Sequence, residues 1–154
     1  MKVAIASDHA GLELKQTLAE YAADVLAVQI EDMGTLSSES CDYPEYAVRV
    51  ATAIVSGQAD LGILICGTGI GMSITANKIP GISAALCGDC YSARMAREHN
   101  NANVLCMGGR VIGVELAQEI TRIFLTAEPI MDVDRYLRRR AQIATIEQGS
   151  RGED

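Results

Sequence analysis

Five short, near-continuously apolar runs, each followed by a stretch of helical periodicity, constrain this chain more than any other feature. The runs lie at 2–7, 25–30, 61–66, 83–87 and 104–107, and the helical stretches at 12–23, 45–56, 70–78, 91–99 and 114–126. A strand covered on both faces has no polar side to show, so it reads as a continuous apolar run rather than an alternating one. Strands joined through helices return in the same direction, and right-handed crossovers then lay helices on both faces of the sheet. The expectation is an α/β, Rossmann-like three-layer sandwich with a five-stranded parallel sheet. The chain's 154 residues, 49% of them hydrophobic, suffice for one such core, so residues 1–154 read as a single domain.

A sixth helical stretch, 132–148, follows Pro129 and has no strand after it. Arg135 and Arg139 share one of its faces at i, i+4 spacing, with Leu137, Ile143 and Ile146 partly on another. A terminal helix that cannot return to the sheet suits a partner subunit, and the competing reading is a solvated run of charge. From Arg135 onward five arginines, Arg151 included, face three acids, while the overall net charge is −7. That balance argues against a nucleic acid held along an extended basic face and suits one small anion. The opening MKVAIASDHAG carries an apolar run too short for a signal-peptide core or a membrane span, and a cytoplasmic protein is expected.

In a doubly wound sheet, ligands bind beyond the carboxyl ends of the strands. That rule gathers Asp8 and His9, the loop after Cys66, Asp89, and the turn from Gly108 to Arg110 on one rim. His99 and Asn100 end the fourth helix and fall at the opposite rim of their own sheet, so acting at this rim would take them across a dimer interface. The loop reads G-T-G-I-G (67–71) between strand and helix, not the G-x-G-x-x-G of a dinucleotide fingerprint, although Asp89 stands where a ribose-binding acid would be sought. Successive amides at a helix N-terminus form a nest for an anion or a developing negative oxygen, and glycines clear the approach.

Cys66, the last residue before that nest, has two readings of equal weight: a base or nucleophile in an electropositive setting, or buried core. Thr68 either donates through its hydroxyl or caps the following helix. Asp8 either orients the His9 ring or serves as an N-cap. The five cysteines are an odd number without an export signal, which favours reduced thiols; C-G-D-C (87–90) has the spacing of a redox or metal pair but no companion cluster. The two histidines lack neighbouring acids at ligand spacing, so no metal site is expected.

The segments SDHAG (7–11), DYPEYA (42–47), GQADLGILICGTGIGMSITANKIPGI (57–82), YSARMAREHNNANVL (91–105), GGRVIG (108–113), the R-x-x-x-R of 135–139 and ATIEQ (144–148) resemble the ribose-5-phosphate isomerase B family. That family also includes galactose-6-phosphate isomerase subunits and enzymes acting on allose 6-phosphate. The resemblance implies an aldose–ketose isomerase working through an enediolate without metal or cofactor, in a homodimer with shared sites, the pairing of dimers into tetramers being left open. It implies Cys66 as the base and Thr68 with the backbone of Gly67, Gly69, Ile70 and Gly71 as the enediolate's oxyanion hole. His99 becomes the ring-opening acid assisted by Asn100, with Asp8, His9 and Tyr43 around the sugar. Arg110, Arg135 and Arg139 become the phosphate clamp, the last two with His99 coming from the partner. Two positions depart from the family pattern: Tyr136 replaces a common histidine, and Met72 stands where another branch carries a glutamate base.

Overall fold

The computed structural model describes residues 1–149, so Arg151 lies outside the described residues. Its strands are β1 (Lys2–Ser7), β2 (Gln29–Asp32), β3 (Leu61–Cys66), β4 (Ala84–Leu86) and β5 (Val104–Gly108). They form one parallel sheet in the order β2-β1-β3-β5-β4. The helices are α1 (Leu12–Asp24), α2 (Tyr43–Val55), α3 (Ile70–Ala76), α4 (Cys90–Glu98), α5 (Val114–Thr126) and α6 (Asp134–Gly149). A single 3-10 turn, His9–Gly11, leads from β1 into α1. The three-layer α/β expectation is met.

Alternation along the strands divides the core between the two faces. Val3, Ile5, Ile63, Ile65, Leu105 and Met107 pack with Leu14, Leu18, Ile120 and Phe124 of α1 and α5. Ala4, Ala6, Leu64, Cys66 and Cys106 pack with Ala47, Val50, Ala51 and Met72 of α2 and α3. The second set is rich in alanine, and α2 lies close: a Cβ on Gly62 would stand 2.6 Å from Val50 Cγ1. Because β3 and β5 are buried along their whole length, their carboxyl ends are fixed in depth and register. Among the described residues no helix is long and apolar enough to cross a membrane.

One strand departs from expectation. The second apolar run, 25–30, is mostly helix exit: the Val25 amide donates to Tyr21 O, the Val28 amide to Ala22 O, and Ala27 turns with φ 54°. The strand proper is the more polar Gln29–Asp32, none of it fully buried, because β2 is an edge and one side meets solvent. Helix ends shift by smaller amounts, α2 starting at Tyr43 with Pro44 in its first turn and α3 closing at Ala76.

Candidate active site

The chain reverses its winding between β1 and β3, the neighbouring central strands, and Asp8 and Cys66 follow or end those strands. Cys66 is 5% exposed, and the Gly69 amide donates to its Sγ at 3.1 Å. Gly69 adopts φ 78°, and a Cβ there would lie 2.8 Å from the Met107 carbonyl carbon and 2.5 Å from Leu86 Cδ1. Only glycine satisfies both the backbone angle and the space. The hydroxyl of Thr68 accepts from the Ile70 amide at 3.3 Å, so Thr68 caps the turn, while the residue itself stays exposed. Two of the nest's amides thus already have acceptors within the loop, one of them the sulfur.

The β5–α5 turn is bound to this loop from the other side. The Gly109 amide donates to Cys66 O at 2.8 Å and the Arg110 amide to Gly67 O at 3.0 Å. Arg110 therefore stands over Gly67, where an added Cβ would meet its Cδ at 3.6 Å. Tyr43, the first residue of α2, covers the start of α3: a Cβ on Gly71 would fall 2.5 Å from its Cζ.

Asp8 is an N-cap, its Oδ1 accepting from the amides of Ala10 (2.9 Å) and Gly11 (3.1 Å). The His9 ring has a different partner from the one its neighbour suggested: Nδ1 accepts from the Cys41 amide at 3.3 Å, with Cys41 Sγ 4.0 Å away. No local signal could join residues 32 positions apart across the β2–α2 loop.

His99, Asn100, Arg135 and Arg139 are not brought to this rim. His99 caps the C-terminus of α4, and its ring stacks on Tyr136 with centroids 4.2 Å apart. The Arg135 guanidinium lies 5.0 Å over the Tyr136 ring and donates to its hydroxyl at 3.1 Å. Asn100 and Arg139 are exposed. The segment after α4 runs into the start of β5, whereas Cys66 faces the end of that strand, Gly108. The two groups are separated by the strand's length, about 16 Å at 3.3 Å per residue.

The remaining candidates resolve by their partners. Asp89 caps α4, accepting from the Ser92 amide and hydroxyl at 2.7 Å each, and these bonds hold its carboxyl below the usual range. Both of its oxygens are thus engaged in capping the helix. Cys87 is buried, and burial together with the Asp89 carboxylate pushes its thiol up to about 11. Burial raises Cys106 further. Neither supplies a ready thiolate. Met72 is fully buried and cannot reach a ligand. Among the described residues no group of three or more His, Cys, Asp or Glu side chains could hold a metal ion.

Comparison with known proteins gives a consistent result. The sequence profile described as Ribose/Galactose Isomerase matches residues 3–143. Ribose-5-phosphate isomerase B of Escherichia coli is 46% identical over 147 residues, covering 96% of this chain and 97% of that protein. A D-erythrulose-4-phosphate isomerase of Pectobacterium atrosepticum is 45% identical over 128 residues, 83% of this chain and 84% of its own. The solved structure of Clostridium thermocellum ribose-5-phosphate isomerase B superposes with a TM-score of 0.93 at 46% identity, covering 97% and 99% of the two chains. With the strand-end cysteine and its glycine turn inside the matched region, this chain belongs to the ribose/galactose isomerase family.

Proposed function

We propose that the protein interconverts ribose 5-phosphate and ribulose 5-phosphate. The observation that carries this reading is the Gly69 amide aimed at Cys66 Sγ, at the end of a buried strand and beside the anchored Arg110. Cys66, as thiolate, removes the C2 proton of the open-chain aldose. The C2–H electron pair forms the C1–C2 double bond, and the carbonyl pair moves onto O1 to give the enediolate. Thr68 and the loop amides stabilise that oxygen, each donor being worth about 3 kcal/mol of barrier. Transfer of the O2 proton to O1 moves the charge to O2, whose electron pair closes the C2 carbonyl as the C1–C2 double-bond pair takes the proton back from Cys66 at C1, giving the ketose and restoring the thiolate. Asp8, His9 and Tyr43 surround the sugar.

His99 donates a proton to the ring oxygen when the furanose opens, aided by Asn100, while Arg135 and Arg139 join Arg110 on the phosphate. In this reading these four belong to a second copy of the chain. The separation of the two groups within one chain supports it, as does α6, which has no buried residue and exposes Ile143 and Ile146. Ribose 5-phosphate is favoured by the names of the Escherichia coli relative and of the Clostridium thermocellum structure, each 46% identical to this chain.

The deciding measurement is kcat/KM for ribose 5-phosphate against D-erythrulose 4-phosphate, allose 6-phosphate and galactose 6-phosphate, with Cys66→Ala assayed alongside. The five-carbon sugar is expected to lead. The alanine variant is expected to lose roughly 100- to 10,000-fold in kcat, the range for removing a positioned base, while still binding sugar phosphate. Wild-type turnover by Cys66→Ala would remove Cys66 from the mechanism.

A further inference from the structure

We infer that Lys15 is a positioning residue for this site, acting through the 33–42 loop to fix the tautomer of His9. The inference rests on the reading that His9 touches the sugar phosphate. Lys15 projects from α1 with no solvent exposure at all. Its Nζ lies 2.6 Å from each carboxylate oxygen of Asp32 and 2.8 Å from Thr35 O, one acceptor for each of its three protons. A lysine is almost never buried unless paired, and here every partner belongs to one short segment.

That segment is the start of the β2–α2 loop. Asp32 Oδ1 also accepts from the Gly34 amide at 2.9 Å. The Ser7 amide donates to Gly34 O and the Thr35 amide to Ser7 O, both at 2.7 Å, which ties the loop to the carboxyl end of β1. Beyond this anchor the loop's side-chain bonds are local, Thr35 with Ser37 and Ser37 with Glu39, until Cys41 reaches His9. Lys15 therefore secures the loop at one end, and the Cys41 amide meets Nδ1 at the other. A backbone amide can only donate, so Nδ1 presents its lone pair and the ring proton resides on Nε2. His9 is then a ready donor to a sugar hydroxyl or phosphate oxygen. Two residues after Cys41, the same loop delivers Tyr43 to its place over Gly71.

The test uses ring-nitrogen NMR of full-length protein labelled at histidine, without substrate. The chain has two histidines, and a His99→Asn sample assigns the His9 signals. Wild type is expected to show Nε2–H with an unprotonated Nδ1. In Lys15→Met, whose Asp32 is partly exposed and can hydrate, the His9 signals are expected to average between tautomers. KM for ribose 5-phosphate should rise about tenfold with kcat changed less than about threefold, the pattern of lost uniform binding. Should Lys15→Met fail to fold, Cys41→Pro removes the amide at the loop's far end and is expected to release the tautomer in the same way. A proton on Nδ1 in wild type, or a folded Lys15→Met with unchanged His9 signals and KM, would overturn the inference. Absence of ribose 5-phosphate turnover in wild type would count against the proposed function alone, because the tautomer is read without substrate.

Discussion

Cys66, Cys87 and Cys106 are buried, and their surroundings divide their chemistry. Cys66 receives an amide from a glycine turn, whereas Cys87 and Cys106 sit in apolar packing. At pH 8 a thiol with a pKa of about 11, as for Cys87, is ionised in roughly one molecule per thousand. Haloacetamide at that pH is therefore expected to label the partly exposed Cys41 well before Cys87, as followed by peptide mass spectrometry; the reverse order would contradict the burial argument. The same shift has a consequence for stability. The folded-state value is raised above the ordinary thiol value of about 9, so the stabilisation is complete below pH 9 and is lost as pH climbs towards 11. Denaturation midpoints are expected to fall across that window, less steeply in Cys87→Ala. Gly69 holds the Cys66 sulfur from the backbone. Gly69→Ala places a left-handed L-residue and a Cβ against Met107 and Leu86, a cost of about 1–2 kcal/mol from the backbone angle alone. Thermal melts should shift down by several degrees, and kcat should fall with the displaced amide.

At the level of elements, α4 and α6 meet where His99 stacks on Tyr136 and Arg135 lies over the same ring. The stack fixes the plane of the imidazole without using either ring nitrogen. Tyr136→Ala is expected to lower kcat/KM about tenfold for ribose 5-phosphate while leaving the circular dichroism of the sheet and helices unchanged; an unchanged rate would make the stack a packing contact only. This pairing was not legible in the sequence, because Tyr136 and His99 belong to different elements and no periodicity links them. The central strands were legible for the opposite reason. Continuous burial of β3 and β5 forces continuous apolarity, and the glycine spacing after Cys66 marks the turn. The edge strand β2 is hidden in the sequence because half-exposure permits Gln29, Glu31 and Asp32, while the apolar 25–28 segment belongs to the exit of α1. Lys15 was equally hidden. A lysine inside an amphipathic helix reads as surface until Asp32, 17 residues away, closes on it.

For the whole molecule, the decisive feature is that one chain carries the two halves of the proposed site at opposite ends of its sheet. Cys66, Tyr43 and Arg110 stand at the carboxyl rim, and His99, Asn100 and Arg135 near the amino ends of the strands. Exposed apolar side chains on α3, β4 and α6, among them Ile74, Leu86 and Ile143, give a second copy something to cover. A two-fold interface is self-complementary, so if it joins the amino-end group of one copy to the carboxyl rim of the other, it does so twice. Subunit mixing tests that geometry. Under the proposed shared-site dimer, the Cys66→Ala and His99→Asn proteins are each expected to be nearly inactive. After unfolding and joint refolding at equal amounts, half the dimers carry one subunit of each kind. In a shared-site dimer, such a heterodimer has one site with both substitutions and one with neither. Activity should therefore return to about one quarter of wild type. If each chain supplied its whole site, every site in the mixture would hold one substitution and no activity would return. Native mass spectrometry of the refolded mixture fixes the heterodimer fraction, so recovered activity can be assigned per intact site.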